Sequence, residues 1–344
     1  MPSPFRVGLN PYGLTYTLGL QGLGTPRANP QATGLEGFIS LAGAIGARTL
    51  EVDLRWLTDL DDEALGRLAS EAAAGGMTIV CSTWLLHEPG ETLATARRIA
   101  ARLGGALIRM HLAPVLEGAR AAQGDRWPRI VDHARKILTT EAPIARDEGL
   151  RIGIENHQDF GSEELLAFAG EAGDNVGIVL DTGNPFAVGE DPVAFTRRVA
   201  HRLVHVHLKD YRAQFTNEGY KLVRCAIGDG CVPFTEMADV IASHTSSLPV
   251  TASLEPAALE ARHIRLFTPQ WWRGYSPRDA SELGVALGRL RHRCFESTED
   301  IRTPWEREAP SADLVAYERQ HLDRSVTFAR QMGWWPASHT SEAR

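Results

Sequence analysis

The sequence predicts an α/β protein: a single (β/α)8 TIM barrel followed by a C-terminal helical extension. Short apolar runs rich in β-branched residues alternate with longer amphipathic runs, and there are eight such short runs within residues 1–260. Near-continuous apolar strands indicate a parallel sheet covered by helices. A count of eight favours a closed barrel over an open, doubly wound sheet.

The predicted strands are short and are separated by segments with a helical pattern. In chain order the strands are Phe5–Asn10, Arg48–Asp53, Met77–Ser82, Ala106–His111, Leu150–Glu155, Val176–Asp181, Leu203–Lys209 and Pro249–Glu255. Examples of the predicted helices are Asp61–Ala74, Glu91–Leu103, Ile130–Glu148, Ser162–Ala172, Asp191–His201 and Thr235–His244. Asp61, Ser162 and Asp191 are good N-caps, and Gly75 and Gly149 stand where helices should end.

Residues 261–344 are additional to the barrel domain of residues 1–260. Two helices are predicted there, over about Asp279–Cys294 and Asp313–Met332. One interpretation is that this extension closes the barrel and packs on its outer ring. The other is a cover for the active site or a surface for a partner, because the run from Trp271 to Tyr275 contains aromatic and arginine residues typical of interfaces.

Composition excludes several classes of protein. The 344 residues are 43% hydrophobic and carry a net charge of −7, which argues against a nucleic-acid surface. No uninterrupted apolar run approaches the length of a membrane span, and residues 1–6 contain no apolar secretory segment. Cys81, Cys225, Cys231 and Cys294 are scattered, which fits a reduced protein better than a disulfide framework. We therefore expect a cytoplasmic location.

Four of the predicted strands end in a side chain that can bind a metal ion. Strands five to eight deliver, in order, Glu155, Asp181, His207 and Glu255. In a (β/α)8 barrel the carboxyl ends of the strands form the active-site face. Any one of these side chains could be a solvated strand end, but four at corresponding positions predict a single mononuclear metal site.

Three carboxylates and one imidazole form a hard, mostly oxygen ligand set. Such a set suits one divalent ion, with Mn²⁺ the expected metal, Mg²⁺ and Co²⁺ as alternatives, and Zn²⁺ a poorer match. A substrate carbonyl and its neighbouring hydroxyl could complete the coordination, so that the ion stabilises an enolate. Glu155 and Glu255 would then be the catalytic acid and base that exchange the proton of the neighbouring carbon.

Other side chains near the predicted barrel mouth are candidates for catalysis or substrate binding. These are His111 at the end of strand four, His157 and Lys209 two residues beyond metal-ligand candidates, and His87 after strand three. His111 could act as a base or bind a hydroxyl, and Lys209 could neutralise an enolate. The structural alternatives are a satisfied strand-end histidine and a salt bridge to a loop acid. For Glu51 and Asp53 the structural interpretation is favoured.

The motifs around these residues resemble those of a known family. Gly-Ile-Glu-Asn-His at 153–157, Leu-Asp-Thr-Gly-Asn at 180–184 and His-Val-His-Leu-Lys-Asp at 205–210 are together similar to the xylose isomerase-like barrel superfamily of sugar phosphate isomerases and epimerases. The resemblance covers about residues 5–256. It implies a divalent metal held by the four candidate ligands, and it implies acid and base roles for Glu155 and Glu255.

The sequence departs from that family at two substrate-binding positions. Many epimerases carry His directly after Asp-Thr-Gly, where this chain has Asn184. Many also carry Arg a few residues beyond the strand-seven His, and Arg212 is the candidate equivalent here. The segment 210–230 is longer than expected for a simple epimerase and is interpreted as a loop.

The predicted function is metal-dependent enolisation of a keto sugar or polyol, of the isomerase or epimerase type. The alternative is a lyase, because the same base and metal support β-elimination next to a ketone. The chain also resembles the large subunits of C-glycoside deglycosidases, which act on 3-oxo-glycosides and pair with a small subunit. That resemblance implies a keto sugar or glycoside as ligand and a homo-oligomer or a complex with a small second subunit.

Two further classes of function fit the sequence less well. A phosphodiesterase related to endonuclease IV would need three zinc ions, more histidines and a basic face for DNA. A non-catalytic sugar-binding barrel would require the four candidate ligands to be incidental.

Overall fold

The computed structural model describes residues 3–83, 91–244 and 249–336, and it shows a closed barrel of eight parallel strands. The barrel strands are β1 (Phe5–Leu9), β2 (Thr49–Asp53), β3 (Thr78–Thr83), β4 (Leu107–His111), β5 (Arg151–Glu155), β6 (Val176–Asp181), β7 (Leu203–Leu208) and β10 (Val250–Leu254). They follow one another around the barrel in chain order, and β10 closes it against β1. The predicted fold class is confirmed, with strand ends shifted by one residue at most sites.

The helices surround this barrel. They are α1 (Gly34–Ile45), α2 (Asp62–Ala74), α3 (Glu91–Arg102), α4 (Arg126–Asp147), α5 (Ser162–Ala172), α6 (Pro192–Val199), α7 (Phe234–His244), α8 (Pro269–Trp272), α9 (Ala280–His292) and α10 (Ser311–Gln331). The Asp61 and Asp191 side chains cap α2 and α6 as predicted, while Ser162 is the first residue of α5 and Gly161 its N-cap. Within the described residues, no helix is both long and apolar enough to cross a membrane.

The inside of the barrel is unusually polar near its carboxyl end. His205 and His207 lie two residues apart on β7, so both point to the same face of the strand. The β10 side chains opposite them are also polar: the His205 ring lies 2.8 Å from Thr251 Oγ1 and 3.1 Å from Ser253 Oγ. These side chains are fully or largely shielded from solvent, so every polar atom needs a partner within the protein.

The segment predicted as a loop at 210–230 contains a β-hairpin, and the loop prediction is wrong there. Strands β8 (Asp210–Thr216) and β9 (Gly219–Cys225) pair antiparallel, and β11 (Arg262–Ile264) extends the sheet from the other edge of β9. The Asp210 carboxylate accepts backbone N–H groups from Gly228, Gly230 and Val232 and so fixes the base of the hairpin. The hairpin stands beside the carboxyl end of β7.

The C-terminal extension packs on the barrel. Trp334, just beyond α10, meets Phe5 at the start of β1 edge to face, with ring centroids 4.9 Å apart. The neighbouring Trp335 donates its indole N–H to the Ile45 carbonyl at the end of α1. The residues that follow α10 therefore pack against β1 and α1. A partner surface on the remaining part stays a prediction.

A buried carboxylate anchors α10 to the loop that follows β1. Glu318 is 1% exposed and accepts the N–H of Tyr16 and the N–H and hydroxyl of Thr17, at 2.6–2.8 Å. Each of these donors would lose its partner if the carboxylate were removed. This contact ties the extension to the amino-terminal part of the barrel, far away in sequence.

We predict that Glu318→Ala lowers the free energy of unfolding by about 2 kcal/mol, because buried donors are left without acceptors. The measurement is urea unfolding followed by circular dichroism. Asp323→Asn on the same helix is the control, since Asp323 makes only an exposed ion pair with Arg319 and such pairs contribute little. Equal midpoints for Glu318→Ala and the native chain would contradict the assigned anchoring role.

Candidate metal centre

The structure brings the four predicted ligands together at the carboxyl end of the barrel. Glu155 and Asp181 are the last residues of β5 and β6, and Asp181 pairs in register with His207 on β7. One ligand atom from each of Glu155, Asp181 and His207 lies within 4.8 Å of the other two. Glu255 directly follows β10 and places Oε2 3.6 Å from Nδ1 of His207. Strand geometry alone thus converges these side chains on one point.

The His207 imidazole has one nitrogen engaged and one facing the carboxylates. Its Nε2 lies 2.8 Å from Glu51 Oε2, and the pair is fully buried. Its Nδ1 lies 3.5 Å from Glu155 Oε1 and has no hydrogen-bond partner among the described residues. An Nε2–H donated to Glu51 leaves the Nδ1 lone pair directed at the carboxylate cluster, which is the arrangement that metal-binding histidines adopt.

The donor spacing fits a hexacoordinate divalent ion. With metal–oxygen distances of about 2.1 Å, adjacent donors lie about 3 Å apart and opposite donors about 4 Å apart. The measured separations of 3.5 and 3.6 Å from His207 Nδ1 to the two glutamates fall between these limits. An imidazole nitrogen without a partner, set among three buried carboxylates, is therefore a good fit for a metal ion.

Three fixed cations border the same carboxylates. Arg109 on β4 forms an ion pair with Glu155, and Lys209 contacts both Asp181 and Glu255. Arg224 on β9 lies 2.6 Å from Glu255 Oε1. Buried charges are costly unless they are paired, so these cations offset part of the cost of burying the carboxylates.

The pKa values of Glu255 and Glu51 show how the neighbouring positive groups act on the buried carboxylates. Burial raises the pKa of Glu255, but the charges of Arg224, Lys209 and His207 outweigh burial and lower the pKa to about 2. Burial also opposes ionisation of Glu51, yet contact with His207 and His205 holds the pKa of Glu51 well below its ordinary value. Both carboxyl groups are therefore ionised at neutral pH.

A cavity of about 240 Å³ opens above these residues. Its walls include Glu155, Lys209 and Glu255 at the base and Tyr12, Arg55 and Arg262 nearer the rim. Arg262 belongs to the C-terminal extension, which therefore contributes to the mouth. The cavity has the polar base and limited volume expected for a small, oxygen-rich molecule.

His111 and His157 form a stacked pair at one side of this cavity. Their ring centroids are 4.4 Å apart and the rings are nearly parallel, with an angle of 13° between them. His157 lines the cavity, whereas His111 is 1% exposed and is not part of its wall. Burial and the nearby His111 and Arg109 hold the pKa of His157 well below its ordinary value. His157 is therefore neutral, and His111 supports it from behind.

Two of the predicted substrate-binding residues, Asn184 and Arg212, do not line this cavity. The Asn184 side chain is 1% exposed, donates to the Asn156 carbonyl at 2.9 Å and accepts from Gln158 and Tyr211. It stabilises the loops below the cavity rather than lining it. Lys209, by contrast, reaches the cavity as predicted.

Arg212 lies on the face of the hairpin that points away from the mouth. Its guanidinium packs on Phe295, 3.7 Å from the ring centroid, and it lines a different cavity. The reason is strand alternation: Tyr211 pairs with Arg224 on the mouth side, so the adjacent Arg212 faces the opposite side. The remaining candidate, His87, lies outside the described residues.

Sequence analysis missed two residues of the centre, Arg109 and Arg224, and favoured a structural role for a third, Glu51. Arg109 and Glu51 each lie in the middle of a buried strand, and a charged residue at such a position was the available signal. Glu51 was interpreted as structural, although its carboxylate is in contact with a ligand candidate. Arg224 had no local signal, because only the hairpin brings it to Glu255.

The chain belongs to the xylose isomerase-like TIM barrel family, whose model matches residues 39–269. The curated relatives include inosose dehydratase from Clostridium beijerinckii, 28% identical over 138 residues, which cover 35% of this chain and 44% of that protein. Inosose dehydratase from Clostridium botulinum is 26% identical over 161 residues, covering 42% and 53%. The chain thus spans about half the length of these relatives.

Solved structures share the fold at low identity. A D-psicose 3-epimerase determined in the presence of D-fructose has a TM-score of 0.55 and 16% identity, covering 88% of this chain and 95% of that chain. An L-ribulose 3-epimerase has a TM-score of 0.51 and 15% identity, covering 99% and 100%. The IOLI protein with a bound zinc atom has a TM-score of 0.50 and 14% identity, covering 84% and 96%. These similarities establish the barrel.

We predict that Glu51→Gln weakens divalent-metal binding by about 10- to 100-fold, because the amide no longer fixes the tautomer of His207. Isothermal titration calorimetry with Mn²⁺ measures the affinity without any substrate. Asp53→Asn is the matched control, since Asp53 is on the same strand and pairs with Arg55 instead. Unchanged affinity in Glu51→Gln would remove Glu51 from the metal centre.

Proposed function

We propose that this protein uses a divalent metal to enolise a keto sugar or polyol, as an isomerase or epimerase does. Glu155, Asp181, His207 and Glu255 would hold the ion, with Mn²⁺ the expected metal. When bound, the ion would polarise the substrate carbonyl and stabilise the negative charge of the enolate. The observation that carries the proposal is the geometry of His207. Its Nδ1 faces carboxylates and has no hydrogen-bond partner in the described part of the chain, while Glu51 holds the opposite nitrogen.

Glu155 and Glu255 would move the proton. They approach His207 Nδ1 at similar distances, 3.5 and 3.6 Å, and each is held by its own arginine. The low pKa of Glu255 keeps it ionised in the free protein, which is the form that a general base needs. Delivery of a different, solvent-derived proton by the other glutamate to the opposite face would invert the carbon. Delivery of a proton to the former carbonyl carbon, with the hydroxyl proton passing to the former carbonyl oxygen, would give an isomer.

The remaining residues of the cavity would position the substrate. Lys209 touches Asp181 and Glu255 and offers an ammonium group to a developing enolate. Neutral His157 presents a ring nitrogen that can bind a hydroxyl group, and the stacked His111 fixes the ring plane. His111 itself is buried behind the cavity wall. A catalytic role for His111 therefore stays a prediction from the sequence.

Proton exchange in D₂O tests the proposal. A panel of keto sugars, keto polyols and 3-oxo-glycosides is incubated with the protein and Mn²⁺, and deuterium uptake next to the carbonyl is followed by NMR. We expect uptake that stops when a chelator removes the metal. The complete absence of exchange on the panel at saturating Mn²⁺ would contradict enolisation.

We predict that Glu155→Gln and Glu255→Gln each slow this exchange at least about 100-fold, because loss of a positioned acid or base costs that much. The assay uses saturating Mn²⁺, and bound metal is measured separately so that loss of the ion is distinguished from loss of the base. Glu163→Gln, an exposed change in the first turn of α5, is the control. Native exchange rates in either site variant would exclude that residue as a proton carrier.

Elimination is the second candidate function, and the inosose dehydratase relatives favour it. After the same proton is removed, a substituent one carbon further on would leave with the electron pair. A 3-oxo-glycoside would lose its aglycone, as in C-glycoside deglycosidases, and an inosose would lose water. We also keep as proposals the two other expectations from the sequence: that the protein binds a small second subunit and that it is located in the cytoplasm.

We predict that the fate of the substituent distinguishes the two reactions. Deuterium uptake with every substituent retained identifies an isomerase or epimerase, since the enolate is only reprotonated. Loss of water or aglycone at the rate of proton removal identifies a lyase. Both are read from the same NMR spectra, and the Glu255→Gln variant should slow whichever reaction is found.

A further inference from the structure

A second and larger cavity lies on the opposite side of the hairpin from the barrel mouth. It has a volume of about 480 Å³ and is enclosed by β8, β9, the segment 293–307 and α10. The C-terminal extension supplies most of its wall. Its volume lies within the range of small-molecule sites in proteins, and the candidate metal centre does not use it.

Arginine dominates this cavity. Its lining includes six arginines and only two carboxylates: Arg212, Arg224, Arg293, Arg302, Arg307 and Arg324, with Asp229 and Asp300. Arg302 and Arg324 pair with the two carboxylates at 2.8 and 2.6 Å. The cavity is therefore strongly cationic in a chain whose net charge is −7.

Three of these guanidinium groups lack an acidic partner. Within the described ranges, no carboxylate oxygen lies within 4.0 Å of Arg212, Arg293 or Arg307. Arg212 and Arg293 are nevertheless held in place, by stacking on Phe295 and by a 2.9 Å hydrogen bond to the Gly228 carbonyl. Ordered guanidinium groups that face one cavity without a counter-ion are suited to bind an anion.

Arg224 strengthens the case from the inner wall. It lines this cavity as well as the mouth, and its Nη1 lies 2.6 Å from Glu255. Its Nε is shielded from solvent and has no hydrogen-bond partner among the residues described. Arg224 therefore adds a guanidinium group, held in place by Glu255, to the inner wall of the cavity.

We propose that this arginine-lined cavity, defined by Arg212, Arg293 and Arg307, is a second binding site for a small molecule that carries phosphate or carboxylate groups. Planar guanidinium groups donate paired hydrogen bonds to both kinds of oxyanion. Tyr317 and His321, whose rings are tilted by 47° with centroids 4.1 Å apart, add an aromatic surface for the rest of the ligand. The site is independent of the enolisation proposed for the barrel mouth.

Calorimetric titration with pyrophosphate, and separately with citrate, tests this site in the full-length protein. Low ionic strength is used, because salt screens the attraction. We expect saturable binding of one anion per chain, weakened about tenfold or more in Arg212→Gln and in Arg307→Gln, since each loses a charge-assisted hydrogen bond. Tighter binding of pyrophosphate would identify a phosphate ligand, and tighter binding of citrate a carboxylate ligand; either supports the site.

Two matched variants make the test specific. Arg330→Gln on α10 changes the net charge equally but lies outside the cavity, and Arg262→Gln changes the barrel mouth. Both should bind the anion with native affinity. The proposal is overturned if neither anion binds saturably, if Arg330→Gln weakens binding as much as Arg307→Gln, or if only Arg262→Gln weakens it. Circular dichroism and thermal melting confirm that each variant is folded.

Discussion

The hydrogen bond between Glu51 and His207 is the interaction on which the candidate metal centre depends. It joins β2 to β7 across the barrel and fixes which imidazole nitrogen faces Glu155 and Glu255. Without it, the ring could present either nitrogen and rotate in its pocket. A catalytic centre built on strand ends needs such support, because a side chain on a rigid strand is precise only when its own rotamer is fixed.

This arrangement has an energetic cost that the barrel offsets with paired charges. Four carboxylates and three cations are withdrawn from water around His207, and an unpaired buried charge would be strongly destabilising. Arg109, Lys209 and Arg224 come from three different strands or strand ends and each contacts an acid of the centre. The centre therefore binds these elements to one another and supports the barrel as well as the chemistry.

The barrel and its four ligand candidates could be predicted because both follow from local patterns. An apolar run that ends in Glu155 or Asp181 predicts both a strand and the position of its carboxyl end. Arg224 could not be found in this way, since its contact with Glu255 depends on a hairpin that the polar, glycine-containing segment 210–230 did not reveal. Arg212 was misplaced for the same reason, because only the strand alternation of the hairpin decides which arginine faces the mouth.

The hairpin therefore separates two environments with opposite charge balance. On one side, Arg224 neutralises an acidic cluster; on the other, Arg212 belongs to a group of arginines in excess of acids. Adjacent strand positions point to opposite faces, so a short β-sheet places the two environments close together, and Arg224 lines both of them. The C-terminal extension completes both, through Arg262 at the mouth and through 293–307 and α10 at the second cavity.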